Sequence, residues 1–142
     1  MLHYKSMETP TVLVIEDSSY LADSLIDMLD MHNYIPIHCP TGREGVAVAL
    51  EKHPDLVLLD IRLPDISGYE VYQQIRETDW GKSARIMVLT ASESIENIAK
   101  NIDLPKNDVL FKPDWSMQQL AAIIAKKLAT PATLPPQMEP AL

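Results

Sequence analysis

Cysteine is nearly missing from this chain of 142 residues; Cys39 stands alone and can form no internal disulfide. Long apolar runs are missing as well. Runs such as residues 56–59 are far too short to cross a bilayer, and nothing resembles a secretory signal. Positive charge is scarce: 12 Lys and Arg face 20 Asp and Glu, a formal net charge of −8. A surface of that sign repels phosphate backbones, which argues against direct nucleic-acid binding. There is no internal repeat and no low-complexity block. A nucleotide- or flavin-binding module would want a phosphate-cradling loop directly after the first apolar run. Two acids, Glu16 and Asp17, stand in that place instead. The expectation is a cytoplasmic chain without membrane insertion.

What is present is the balance of an ordinary globular domain, 46% hydrophobic and 23% charged. The length suits one compact domain and is too short for two well-cored ones. Residues 1–10 are polar and irregular and read as a leader. Pro131, Pro135, Pro136 and Pro140 break up residues 130–142, which read as a linker or tail. The domain is expected between them, over residues 11–129.

Within it the hydrophobic pattern changes period repeatedly. Residues 12–15, 56–59 and 86–89 are short apolar runs rich in branched side chains, as in strands buried on both faces. Helical spacing lies between them: Leu21, Leu25, Met28 and Leu29; Val71, Tyr72 and Ile75; Leu120, Ile123, Ile124 and Leu128. Thr41 with Glu44 and Ser67 with Glu70 have the spacing of capping boxes. Ser92 and Asp114 are expected to cap two later helices. The pattern predicts strands over 11–16, 35–39, 55–60, 84–90 and 107–112, with helices over 18–32, 42–52, 68–79, 93–103 and 115–129. Such alternation means a parallel sheet covered by helices on both faces. The second strand carries Pro36, which an interior position does not accommodate, so it belongs on an edge. The fifth takes the other edge. The order 2-1-3-4-5 follows, a flavodoxin-like (βα)5 doubly wound fold whose ligands bind beyond the carboxyl ends of the strands.

Those ends carry the chemistry. The first strand ends in Glu16 and Asp17, the third in Asp60, the fourth in Thr90, and the fifth in Lys112 followed by Pro113. Two unit charges ~4 Å apart repel by roughly 4 kcal/mol at an effective dielectric near ~20. Three clustered carboxylates therefore raise a pKa or capture a cation. Hard oxygens without His or Cys nearby suit Mg²⁺, which keeps open positions for phosphate oxygens. Each residue alone has a plainer explanation as turn former, cap or surface charge; their coincidence at four strand ends points to a site.

The segments Val12-Leu-Val-Ile-Glu-Asp17, Asp55-Leu-Val-Leu-Leu-Asp60-Ile-Arg-Leu-Pro64-Asp-Ile-Ser-Gly68, Ile86-Met-Val-Leu-Thr90-Ala91 and Lys112-Pro113 resemble the receiver domain of two-component response regulators. The likeness runs from about residue 11 to residue 129. It implies that Asp60 accepts a phosphoryl group from a phosphohistidine on a sensor histidine kinase or histidine phosphotransfer protein. Asp17 and Asp60 would ligate Mg²⁺, with Glu16 acting largely through water and the backbone carbonyl of Arg62 completing the set. Lys112 and Thr90, with Ala91 beside it, would hold phosphoryl oxygens. Pro64 and Gly68 would shape the loop after the phosphoacceptor, and the Lys112–Pro113 bond would be cis. The resemblance implies a signalling module that catalyses only its own phosphorylation and dephosphorylation. It acts on a downstream protein or on an output domain outside this chain, and a homodimer is compatible with it.

Three positions leave the family pattern. Val109 stands where an aromatic ring usually turns inward as the threonine moves, Pro105 where glycine is common, and Asp114 where an aromatic often follows Lys-Pro. Trp115 is the residue available to compensate by packing nearby. Haloacid-dehalogenase-type phosphatases share the aspartate nucleophile, but they need a general acid two residues later, where this chain has Arg62. Their metal-binding acids also follow the nucleophile, whereas Glu16 and Asp17 precede it. His3, His32, His38 and His53 lack metal-ligand spacing and read as structural or exposed, Cys39 as a small buried hydrophobe, and Trp80 as closing the third helix before Gly81.

Overall fold

The alternation of branched apolar runs and helical spacings folds, in a computed structural model that describes residues 9–91 and 94–129, into a five-stranded parallel sheet flanked by helices. In chain order the elements are β1 (Thr11–Ile15), α1 (Ser19–Met31), β2 (Ile35–Cys39), α2 (Gly42–Lys52), β3 (Leu56–Asp60) and α3 (Gly68–Arg76). They continue with β4 (Ile86–Thr90), α4 (Ile95–Asn101), β5 (Val109–Phe111) and α5 (Met117–Ala129). The sheet order is β2-β1-β3-β4-β5, as expected from the sequence. The expected leader and tail lie largely outside the described residues.

Two-residue alternation along the strands divides the core in two. Leu13, Ile15, Val57, Leu59, Ile86, Val88 and Val109 face one side, where Val46 of α2, Val71 of α3 and Ile98 of α4 cover them. Val12, Val14, Leu56, Leu58, Met87 and Leu89 face the other, beneath Leu25 of α1 and Leu120 of α5. Every residue of β3 and β4 is buried, whereas only Cys39 of β2 is. Pro36 lies in register with Val12. The Ile35 N–H donates to the Pro10 carbonyl at 2.9 Å, so alternation of the backbone turns the Pro36 nitrogen toward the open edge. No ladder hydrogen bond is lost there. Among the described residues no helix is long and apolar enough to cross a membrane.

Helix starts agree with the sequence in two cases and differ in two. The Glu44 N–H donates to Thr41 Oγ1 and the Glu70 N–H to Ser67 Oγ, each at 3.2 Å. Ser92 lies outside the described residues, and α4 is capped by Ser94, which accepts from the Asn97 N–H at 3.0 Å. Asp114 caps nothing, because it belongs to a short 3₁₀ turn over Lys112–Asp114. The chain is still turning there, and α5 starts at the next serine with a partner three residues on. Ser116 Oγ accepts from the Gln119 N–H at 3.2 Å, and Gln119 Oε1 accepts from the Ser116 N–H at 2.8 Å. Helix α3 ends at Arg76, earlier than its apolar spacing suggests, and Trp80 lies beyond it. Arg76 Nη1 donates to the Gly81 and Ala84 carbonyls at 2.7 Å each, which turns the chain toward β4. The Trp80 ring stacks on His53 with centroids 4.7 Å apart.

Candidate functional site

Strands β1 and β3 are neighbours, and their carboxyl ends bring Glu16, Asp17 and Asp60 together. One carboxylate oxygen from each lies within 4.8 Å of the others. Glu16 and Asp60 are buried at 2% and 6% exposure, while Asp17 is open to solvent. From the far side of the sheet, Lys112 reaches across to this rim. Its Nζ lies 2.9 Å from Glu16 Oε1 and 3.5 Å from Asp60 Oδ1. Two buried carboxyl groups thus share one ammonium, an arrangement in which removing the cation leaves whatever charge they carry uncompensated.

The Asp60 carboxyl is raised from 3.8 to about 7, first by burial and then by the charge of Glu16, with Lys112 and the Arg62 N–H pulling the other way. That N–H donates to Asp60 Oδ1 at 3.3 Å. Glu16 is fixed on every side. Its second carboxylate oxygen accepts from the Ser18 N–H at 3.2 Å, its N–H donates to the Cys39 carbonyl at 3.1 Å, and its carbonyl accepts from His38 Nε2 at 2.8 Å. His38 therefore supports the site as a positioning residue. Its place on β2, three residues after a strand start, carried no such signal in the sequence.

The loop after β3 is shaped by close packing. Gly68 opens α3, and its N–H donates to the Ile61 carbonyl at 2.8 Å. A Cβ built there would sit 2.4 Å from the Asp60 carbonyl oxygen and 2.6 Å from Ile61 Cα, so only glycine fits. Asp65, which sequence reasoning passed over, ties the same loop to α2. Its carboxylate accepts from the Gly42 and Arg43 N–H groups at 2.8 and 2.9 Å. Those are orphan donors of the first turn of α2, and they hold the carboxyl down at about 2. Pro64 lies exposed in this loop, and Arg62 is exposed at its mouth.

Thr90 ends β4 and is buried at 2% exposure, with Ala91 exposed just after it. Val109 is buried in β5, in register with Val88, two residues short of the strand end. Trp115 does not compensate for it. The indole packs against the cluster under α1 and α5, on the opposite face of the sheet from Val109. The expected cis bond at Lys112–Pro113 rests on Pro113, whose placement falls outside the fully described residues.

Chemically, the rim offers hard anionic oxygens beside a buried ammonium and a strand-end hydroxyl. The three carboxylates fit a small divalent cation such as Mg²⁺. The ammonium fits an anion that arrives with it.

The family model described as "Response regulator receiver domain" matches residues 12–125. An uncharacterised transcriptional regulatory protein of Bacillus subtilis (strain 168), YkoG, is 34% identical over 122 residues, covering 86% of this chain and 52% of the relative. The DNA-binding dual master transcriptional regulator RpaA of a Synechocystis strain is 30% identical over 116 residues, covering 82% of this chain and 48% of the relative. The chain spans about half the length of these curated relatives. Among solved structures, the receiver domain of a sensor histidine kinase from Pseudomonas aeruginosa PAO1, with a magnesium ion coordinated in its active-site cleft, superposes with a TM-score of 0.76 at 25% identity. That match covers 87% of this chain and 100% of the other. A CheY-like receiver domain protein from Methanospirillum hungatei JF-1 agrees in fold, with a TM-score of 0.75 at 23% identity, covering 86% of this chain and 95% of that one. A domain-length match over a sheet whose carboxyl rim gathers Glu16, Asp17, Asp60 and Lys112 leaves one assignment: the chain belongs to the receiver-domain family of response regulators.

Proposed function

We propose that Asp60 is the phosphoacceptor of a two-component relay, and that residues 11–129 form the receiver unit that carries it. The convergence of Lys112 on Asp60 and Glu16, beside a trio of carboxylates, is the observation that carries this reading. An Asp60 carboxylate oxygen attacks the phosphorus of a phosphohistidine. The P–N bond breaks as the P–O bond forms, and the imidazole leaves with the electron pair and takes a proton from water. Transfer of this kind needs charge neutralisation and in-line placement more than covalent help from the protein. Lys112 lies where it can bond a phosphoryl oxygen, and the Thr90 hydroxyl ends the neighbouring strand. Glu16, Asp17, Asp60 and the Arg62 carbonyl would hold Mg²⁺, which neutralises phosphoryl charge when bound.

The donor would be a sensor histidine kinase or a phosphotransfer protein in the cytoplasm. The recipient of the signal would be a downstream protein or an output domain. Phosphorylation adds roughly two negative charges and new acceptor oxygens next to Lys112 and Thr90. That gives both groups a further partner in one state, and a contact present in one state only is what shifts a two-state equilibrium.

Incubation with acetyl phosphate and Mg²⁺ is expected to add one phosphoryl group to the intact mass, and Asp60→Asn is expected to abolish it. Equal labelling of the Asn variant, or none of the wild type, overturns the assignment. Steady hydrolysis of a generic phosphate ester would instead favour a phosphatase.

A further inference from the structure

We propose that Asp65 is a positioning residue for the carboxylate trio, and that through the start of α2 it sets how far the β3 rim stands from the β1 rim. This rests on the reading of Glu16, Asp17 and Asp60 as a Mg²⁺ site and adds what fixes its width.

The sheet alone does not set that width. The β1–β3 ladder ends with Ile15 in register with Leu59, one residue before Glu16 on one strand and Asp60 on the other. Beyond it the carboxyl groups lie side by side, and any charge they share pushes the strand ends apart. A second route joins the two ends. The Glu16 N–H donates to the Cys39 carbonyl at 3.1 Å, so the end of β1 is bound to the end of β2. Three residues after Cys39 comes Gly42, the first residue of α2. The Gly42 and Arg43 N–H groups donate to Asp65 Oδ1 and Oδ2 at 2.8 and 2.9 Å, and Asp65 belongs to the loop that leaves Asp60. The Gly68 N–H, which donates to the Ile61 carbonyl at 2.8 Å, closes that loop on itself. Every tie in this circuit is a backbone bond except the pair that Asp65 accepts.

The contact is built for close approach. A Cβ on Gly42 would lie 2.6 Å from Ile66 Cγ1 and 3.2 Å from the Ile66 carbonyl oxygen, so α2 rests directly on the loop. The two N–H donors are ones that the first turn of a helix leaves orphaned, and they hold the Asp65 carboxyl down at about 2. The grip is therefore charged throughout the range in which carboxylates bind a metal. Mg²⁺ demands near-ideal octahedral geometry and tolerates little change in the spacing of its ligands. Groups that orient metal ligands without touching the ion typically matter by roughly 10–100-fold in affinity. Asp65 acts in this way on the backbone that carries Asp60 and the Arg62 carbonyl.

Calorimetric Mg²⁺ titrations at pH 8, on chains shown to be folded by near-ultraviolet circular dichroism, test the assignment. Asp65→Ala is expected to weaken Mg²⁺ binding about tenfold. Asp65→Asn keeps one acceptor oxygen and is expected to fall between that variant and the wild type. Thr41→Ala removes a different cap from the same helix start and is expected to leave the affinity close to that of the wild type. In metal-free Asp65→Ala, amide exchange is expected to quicken over residues 61–67 and to stay unchanged over β1. Affinity unchanged in Asp65→Ala, or lost equally in Thr41→Ala, overturns the proposal, since Asp65 is then only a helix cap. Acetyl phosphate is added in a parallel arm and the intact mass followed. Mg²⁺ binding that depends on Asp65, in a wild type that takes up no phosphoryl group, overturns the phosphoacceptor reading and leaves this one standing.

Discussion

Asp60 is a carboxyl pulled in two directions. Burial and the neighbouring Glu16 favour its protonated form, while Lys112 at 3.5 Å favours its charged one, and the balance sets its pKa at about 7. A carboxyl raised from 3.8 binds its proton more tightly in the fold than in the unfolded chain. Its contribution to stability is therefore full below pH 3.8 and is lost as pH rises toward 7. A displacement of that size corresponds to about 4 kcal/mol at most, and the partial tie to Lys112 returns some of it when Asp60 is removed. Without divalent cations, Asp60→Asn is expected to stabilise the fold by about 1–3 kcal/mol at pH 8 and by about a quarter of that at pH 4.5. Urea melts of both proteins at the two pH values check this. A gain that is the same at both would show that packing, not charge, is responsible. Lys112 has the opposite role. Lys112→Ala leaves two buried carboxylates sharing no cation and is expected to cost about 3–5 kcal/mol at neutral pH, with partial recovery in Mg²⁺.

The β3–α3 loop depends on two ties of different kinds. Gly68 allows α3 to start against the backbone of Asp60 and Ile61, where a methyl group would overlap the Asp60 carbonyl. Gly68→Ala is expected to lower stability by about 1–3 kcal/mol through overpacking and to weaken Mg²⁺ binding, because the displaced backbone belongs to the site residue itself. Thermal melts with and without Mg²⁺ read both effects. Asp65 caps α2 from the loop, and its carboxyl is held below its usual value by the Arg43 and Gly42 N–H groups. A depressed carboxyl stabilises the fold above its unfolded pKa and loses that contribution as pH falls. The destabilisation caused by Asp65→Ala is therefore expected to be full at pH 7 and to shrink as pH drops from 3.8 toward 2. Melting curves across that range test it.

At this scale the limits of sequence reading are physical ones. Strand order was legible because Pro36 lacks an N–H and three runs were apolar throughout, and both are properties of single residues. The convergence of four strand ends followed from that order. The caps at Ser94 and Ser116 were misplaced by two residues each, because several hydroxyl or acidic residues could start each helix and the turn before it decides. The bridge from Asp65 to α2 spans 23 residues and leaves no local pattern. His38 on Glu16 is equally silent in the sequence, as is the Arg76 clamp on two carbonyls. Contacts made by a backbone that has already folded cannot be read from periodicity.

For the whole molecule, the site draws on every strand except β4 through charged or ring groups that cross the carboxyl rim, and β4 brings Thr90. β2 supports it with His38, β1 ends just before Glu16 and Asp17, β3 ends in Asp60, and Lys112 follows β5. In the metal-free chain, the ammonium of Lys112 lies against both buried carboxyl groups. A cation held by those carboxylates therefore stabilises the fold as a whole rather than one loop, by the mass-action term RT ln(1 + [L]/Kd). Saturation to about a hundredfold above Kd is worth roughly 2.7 kcal/mol. Binding requires Asp60 to give up its proton, so affinity is expected to rise by up to about tenfold per pH unit below pH 7 and to level off above it. The melting temperature of the wild type should thus climb with Mg²⁺ concentration more steeply at pH 8 than at pH 5.5. Calorimetric titrations at pH 6 in buffers of different protonation enthalpy should show proton release on binding. In Asp60→Asn the Mg²⁺ dependence should weaken and its variation between pH 5.5 and pH 8 should largely disappear, because the proton that competes with the metal is gone. An Asn variant that keeps the wild-type pH dependence would place the competing proton on a different carboxyl and remove Asp60 from the metal site.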